Sequence, residues 1–261
     1  MFQRTIVVAS LIAVACGAPS QDQSSRVVNG QTAADGQFPY QVQLKIQLAQ
    51  GRALCGGSLL SDQWVLTAGH CVQGASSFEV TLGAVALDGA DDGRVVVTAT
   101  EYIRHEKYNP LFATNDVAVI KLPSAVQFNE RVQPVKLPSG SGDYAGQVAT
   151  VSGWGLQQNG GTVAQQLQFA PLKVITNSVC SKTYNPLVIK KTTLCAQGDD
   201  KQSPCNGDSG GPLVVGEGDE RVLVGVVSFG HATGCERGLP GAFARVTAFA
   251  DWIRKKTGLQ A

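Results

Sequence analysis

Residues 41–48 read QVQLKIQL, with polar and apolar side chains alternating at every position. Side chains of an extended chain point to opposite faces in turn, so this is the pattern of a half-buried β-strand. Outward from it the chain repeats the theme. WVLTA (64–68), FEVTLGAV (78–85), RVVVTATEYI (94–103), DVAVIKL (116–122), QVATVSGWG (147–155), LKVIT (172–176), PLVV (212–215) and RVLVGVVSF (221–229) are short β-rich runs, punctuated by Gly, Asp, Asn and Pro. Helical spacing of apolar residues appears only near the end. There Val246, Phe249, Ala250 and Ile253 share a face, Thr247 is a candidate cap, and Lys255 and Lys256 suit the negative helix C-terminus. No repeat is visible. The reading is all-β and antiparallel with a C-terminal helix, and strands spread over some 220 residues imply two barrels rather than one.

The 261 residues are 43% hydrophobic with a formal charge of +1. That length supplies a large core, and the near-neutral balance argues against a nucleic-acid binder, which needs a basic face. The basic runs Lys190–Lys191 and Arg254–Lys256 are short enough to be solvated surface. At the N-terminus Arg4 precedes an apolar run, Ile6 to Ala15, followed by small residues. This reads as a secretory signal peptide over 1–18, too short for a membrane span. The polar stretch 19–26 ends at Arg26, a basic residue suited to proteolytic processing. Beyond the signal six of the seven cysteines remain: Cys55, Cys71, Cys180, Cys195, Cys205 and Cys235. An even number in a secreted chain suggests three disulfides, with fifteen pairings open to arithmetic alone.

One stretch stands apart from the strands. Residues 205–212 read CNGDSGGP, placing Ser209 beside Asp208 and among Gly207, Gly210 and Gly211. Glycines allow a tight turn and close backbone approach, so the segment is built to present Ser209 and its amide, although a polar surface turn has the same composition. A serine hydroxyl needs a base to act as a nucleophile. Of His70, His105 and His231, His70 is the best placed, because it follows an apolar strand and adjoins Cys71. His105 lies among charges and reads as exposed; His231 lies in a loop. An imidazole base needs an acceptor to fix its tautomer, and Asp116, at the head of a strongly apolar strand, is the candidate.

TAGHC (67–71), NDVAVIKL (115–122) and CNGDSGGP in that order resemble the chymotrypsin-like serine proteases. VVNG (27–30), CGGSLL (55–60), SGWG (152–155), VVSFG (226–230) and PGAFARV (240–246) extend the likeness from Val27 to about Gly258. The resemblance implies two six-stranded antiparallel Greek-key barrels, about 27–137 and 138–245, and a helix over 247–258. It implies Ser209 as nucleophile, His70 as general base and then acid, Asp116 as the orienting carboxylate, and the amides of Gly207 and Ser209 as the oxyanion hole. It implies the pairs Cys55–Cys71, Cys180–Cys195 and Cys205–Cys235. It further implies a precursor cut after Arg26, whose freed Val27 ammonium pairs with Asp208.

Six residues before Ser209, where family members that cut after Arg or Lys carry aspartate, stands Ser203. Gly230 and Gly241 correspond to open pocket walls, Asn206 to the pocket mouth, and Ser228–Phe229–Gly230 to the backbone edge that receives substrate. An uncharged, open pocket suits Phe, Tyr, Trp or Leu before the cut bond. Phe229 replaces the usual Trp and Gly69 the usual Ala, and an apparent extra residue before Cys235 puts His231 near the pocket rim. Asp88, Asp91 and Asp92 do not match the family's calcium loop, so neither a metal nor a cofactor is expected. The expected protein is a secreted, extracellular, monomeric protease, digestive and of the gut lumen by analogy. Its expected partners are protein or peptide substrates, an activating trypsin-like protease and protein inhibitors, not nucleic acid or membrane. A processing, defence or collagen-cleaving protease is the alternative within enzymes. A non-catalytic binding protein is the alternative outside them, opposed by the intact triad.

Overall fold

A computed structural model describes residues 27–89 and 93–260. The opening QVQLKIQL is a strand from its first residue to its last, β2 (Gln41–Leu48), after a two-residue β1 (Gln31–Thr32). β3 (Arg52–Leu59), β4 (Trp64–Thr67), β5 (Ala75–Leu82), β6 (Val95–Ala99), β7 (Glu101–Arg104) and β8 (Ala118–Lys121) complete the first half. They form an antiparallel sheet in the order β6-β5-β2-β3-β4-β8-β7. Its two edge strands, β6 and β7, are consecutive in the chain and separated only by Thr100. The sheet therefore curls round on one bent strand, and its edges are joined covalently rather than by hydrogen bonds.

The second half holds β9 (Val148–Gly153), β10 (Gln168–Ile175), a one-turn helix α1 (Asn177–Cys180), β11 (Thr193–Gln197), β12 (Pro212–Val215), β13 (Val222–Phe229) and β14 (Gly241–Arg245). β9-β10-β11-β14-β13-β12 is a ring, because β12 pairs back onto β9. So one closed six-stranded barrel stands beside one sheet curled into a half-barrel, in place of the second six-stranded barrel expected. β1 crosses over and pairs with β10 of the closed barrel, Gln31 opposite Phe169. Val27 is buried in the same barrel's core. The first described residues thus belong to the second half.

The last element, α2, runs Val246–Thr257 and buries Val246, Phe249, Ala250 and Ile253, the face read from the sequence. Its N-cap is Arg245, with no side-chain cap, so Thr247 lies inside the first turn instead of capping it. Gly258 closes the helix in the left-handed conformation, its N–H donating to the Arg254 carbonyl. Three of the four buried side chains, Val246, Phe249 and Ile253, pack into the core of the curled sheet. The C-terminus therefore straps the second half to the first, and the cleft between the halves is where the candidate residues meet.

Candidate active site

The Cys55–Cys71, Cys180–Cys195 and Cys205–Cys235 disulfides all form. The first anchors the segment that carries His70 to β3. His70 opens a single 3-10 turn directly after β4, so both a strand and a disulfide fix its backbone. Its own N–H donates to Asp116 Oδ1 at 2.8 Å, and its ring Nδ1 meets Asp116 Oδ2 at 2.8 Å. A carboxylate only accepts, so Nδ1 carries the proton and Nε2 is left with its lone pair. Asp116 is 2% exposed. Burial of a carboxylate is costly without partners, and a third one arrives from the second half: the Ser228 hydroxyl donates to Oδ2 at 2.6 Å.

Ser228 reaches Asp116 because β13 bulges. Val227 pairs with Phe243 and Phe229 with Ala242, leaving Ser228 the unpaired residue between them. The sequence reading gave Ser228 only a backbone role. Its hydroxyl carried no signal of its own, since nothing in VVSFG announces a bulge.

The Ser209 turn is gripped from three sides. The Gly56 N–H donates to the Ser209 carbonyl at 2.7 Å, Gly210 N–H donates to Val227, and Gly211 N–H donates to Asp208. Gly210 has φ +77°, and a Cβ there would collide with the Thr67 hydroxyl and with the Gly56 carbonyl, 2.6 Å away. Gly207 has φ +100°. Among the described residues, no acceptor takes up the N–H of Gly207 or of Ser209. Two free donors, two residues apart on one turn, are able to receive a developing oxyanion. Ser209 Oγ makes no hydrogen bond to His70 in this structure; such contacts commonly tighten only with substrate bound.

Asp208 points the other way, into the second barrel, and is fully buried. The Gly155 N–H donates to its Oδ1 at 2.7 Å and the Cys205 N–H to its Oδ2 at 2.9 Å. A Cβ on Gly153 or on Gly155 would collide with this carboxyl, which accounts for both glycines of SGWG. Among the described residues no ion pair reaches it, and burial outweighs the two amides to push its pKa up to about 6. Val27 is buried in the same barrel, and Val28 bridges to Ser203. Arg26 lies outside the described residues.

Beside Ser209 opens a cavity of about 430 Å³ whose lining includes Ser203, Asn206, Ser228, Phe229 and Gly230. Ser203 is buried and its hydroxyl donates to the Pro204 carbonyl, so the site has neither a charge nor a free donor there. A Cβ on Gly230 would meet only open space. Gly241 is not part of the lining: it packs against Pro204, and Leu239 and Pro240 form that wall. The Phe229 ring meets Tyr184 edge-on at 5.5 Å, and the Tyr184 hydroxyl donates to the Pro240 carbonyl. Burial pushes that hydroxyl's pKa up to about 12, which keeps it a donor. Tyr184 lies far from the motifs in sequence and escaped the reading.

His231 does line the cavity. His105, by contrast, is half-buried rather than exposed. Its ring packs 5.5 Å from Phe249 and 5.0 Å from Trp252 of α2, and burial lowers its pKa. The charges around it on the sequence concealed that apolar contact, which is made by residues some 145 positions later. At Gly69, a Cβ would sit 3.2 Å from both Asp116 Oδ1 and the Tyr108 ring, so a tightly closed ring edge accompanies the missing methyl. Cys55, His70 and Cys71 bring ligand-type atoms together, but both sulfurs are committed to the disulfide. Asp88 is engaged by Lys45 at 2.7 Å, while Asp91 and Asp92 lie outside the described residues.

An oriented imidazole, a gripped serine and paired free amides beside an open pocket define a hydrolase of the serine type. The family model for Trypsin matches residues 27–253. The chain belongs to the trypsin family and is a serine endopeptidase. A collagenase of Hypoderma lineatum is 44% identical over 241 residues, 91% of this chain and 89% of that protein. Chymotrypsin-C of Rattus norvegicus is 37% identical over 266 residues, 97% of this chain and 98% of its own. A solved structure of HL collagenase superposes with a TM-score of 0.82 at 44% identity, covering 90% of this chain and all of that one.

Proposed function

We propose that the chain is a secreted precursor, cut after Arg26, whose active form hydrolyses peptide bonds following large apolar residues (Phe, Tyr, Trp or Leu). The observation that carries this reading is the pairing of the Asp116-bound His70 with a Ser209 turn whose amides are free, beside a pocket with neutral Ser203. Ser209 Oγ attacks the scissile carbonyl as His70 Nε2 takes its proton. The carbonyl oxygen becomes an anion held by the Gly207 and Ser209 amides. His70 then gives the proton to the leaving amine, which departs and leaves an acyl-serine. Water, deprotonated by the same imidazole, hydrolyses the ester and restores Ser209. Throughout, Asp116 stabilises the imidazolium.

The three disulfides support an oxidising, extracellular site of action, and digestion is the role we favour. Among the described residues no helix is long and apolar enough to cross a membrane. A panel of peptides with Phe, Tyr, Leu, Ala or Arg before the cut bond tests the reading, using the precursor before and after trypsin treatment and Ser209→Ala as control. Cleavage after Phe, Tyr or Leu that appears only on treatment is the expected result. A preference for Arg would overturn the pocket assignment. The relative named collagenase, 44% identical, favours collagen as a further substrate. Incubation of the activated enzyme with native triple-helical collagen reads that directly, and intact chains after prolonged incubation would exclude it.

A further inference from the structure

The pocket rim that carries His231 is held by a side chain on the other side of the cavity. Asn159 sits in the loop after β9, residues 154–161, and lines the pocket. Its Oδ1 accepts the Cys235 N–H at 2.9 Å, and its own N–H donates to Glu236 Oε2 at 2.8 Å. Directly before these two residues lies Gly234, whose φ is +100° and where any Cβ would collide with the Asn159 side chain. Gly234 N–H closes a turn onto the His231 carbonyl. Thus one residue of the first loop grips the end of a turn whose beginning is His231.

The grip completes a ring. Gly155, four residues before Asn159, donates to Asp208 Oδ1; Cys205 donates to Oδ2; and Cys205 is disulfide-bonded to Cys235, whose N–H returns to Asn159. Asp208 directly precedes the Ser209 nucleophile. The rim, the pocket and the Ser209 turn are therefore connected by three hydrogen bonds and one covalent bond. Only one of these links runs through a side chain with freedom to leave, that of Asn159.

We propose that Asn159, with Glu236, is a positioning residue that fixes the pocket rim and thereby sets affinity for the side chain before the cut bond. This rests on the proposed pocket assignment. Asn159 touches no reacting atom, so its loss weakens binding and spares the chemical step. A neutral hydrogen bond of this kind carries on the order of 1 kcal/mol, or roughly five- to tenfold in an equilibrium.

The test measures kcat and KM for activated wild type, Asn159→Ala, Glu236→Gln and Glu236→Ala on Phe and Leu peptides. Equilibrium binding of indole, a small apolar aromatic probe, is measured on the same proteins. Asn159→Ala should raise KM, and weaken indole binding, about five- to tenfold, with kcat within about twofold. Glu236→Gln keeps an acceptor for the Asn159 N–H and should behave as wild type, while Glu236→Ala follows Asn159→Ala. A general loosening of the fold would move kcat as well and would not be rescued by glutamine. Unchanged KM and unchanged indole binding in both alanine variants would overturn the proposal. Should wild type cleave neither peptide yet bind indole, weaker indole binding by the variants still supports the grip, and it is the specificity reading that fails. The two Glu236 variants carry the test if Asn159→Ala does not fold.

Discussion

Two aspartates are buried on either side of the Ser209 turn, and they are treated differently. Asp116 is met by three donors, one of them an imidazole that can take a positive charge and one a hydroxyl from the opposite half. Asp208 is met by two backbone amides only, and its carboxyl is pushed up to about 6. The first site is fully partnered. Among the described residues, no cation reaches the second. Geometry of the base and orienter is thus built by folding, whereas on our proposal the charge balance behind Ser209 awaits the ammonium that cleavage before Val27 would create. On that proposal, a control point placed behind Ser209 would silence the enzyme without disturbing the base.

The sharpest way to break that contrast is to prevent the cut. Arg26→Gln should leave the precursor inactive after treatment with a trypsin-like protease, with activity on a Phe peptide at background. Full activity in this variant would mean that Asp208 needs no new partner. On the complete side, Asp116→Asn keeps the shape and removes the charge. The amide's NH2 cannot accept from Nδ1–H, the other tautomer is favoured, and kcat should fall by about 10⁴-fold. The activated variant assayed across pH 6 to 9 checks this; a loss below tenfold would remove Asp116 from its role.

A third prediction separates the two carboxyls by pH. Folded Asp208 holds its proton up to about pH 6, against an ordinary value of 3.8. Between these values the folded chain binds more protons than the unfolded one, so rising pH favours unfolding. The stabilisation is present in full below about pH 3.8 and is lost as pH rises through about 6. A shift of two units corresponds to about 3 kcal/mol. Urea unfolding of the precursor at pH 4 and pH 7, compared with Asp208→Asn, isolates this contribution. The difference should vanish in the asparagine variant and should reverse in the cut enzyme, where an ammonium beside Asp208 lowers its pKa. Equal pH slopes in precursor and Asp208→Asn would show that the burial cost is already offset.

The legibility of these features in the sequence follows their chemistry. β2 was readable to the residue because its two faces meet different surroundings, and α2's buried face because a 3.6 period has no strand equivalent. β14 was named only through its motif, since GAFAR (241–245) is too short and too small to stand out. β11 sits in TLCAQ (193–197), buried over most of its length, so it shows no alternation. His70, Asp116 and Ser209 were legible because each breaks a local pattern: a histidine at a strand end, a charge at the head of an apolar run, a serine among glycines. Gly241 stands behind Leu239 and Pro240 of the cavity lining and packs against Pro204, a neighbour that no local pattern announces. Tyr184, Asn159 and the Ser228 hydroxyl act through contacts 56, 76 and 112 residues away along the chain, and no local pattern encodes such distances.

The smallest effect concerns that Ser228 hydroxyl, the one donor to Asp116 supplied by the closed barrel. Ser228→Ala leaves the bulge intact, since the backbone pairing on either side does not involve the side chain. It removes a hydrogen bond to an ionised acceptor, worth roughly 1.5–3 kcal/mol. Part of that loss falls on the ground state and the imidazolium alike, because the carboxylate is charged in both. The fall in kcat should therefore be about tenfold, at the low end of that range, with KM for a Phe peptide little changed. If kcat stays at the wild-type value, the completeness of the Asp116 site owes nothing to the second half. The contrast between the two aspartates would then reduce to the imidazole that one has and the other lacks.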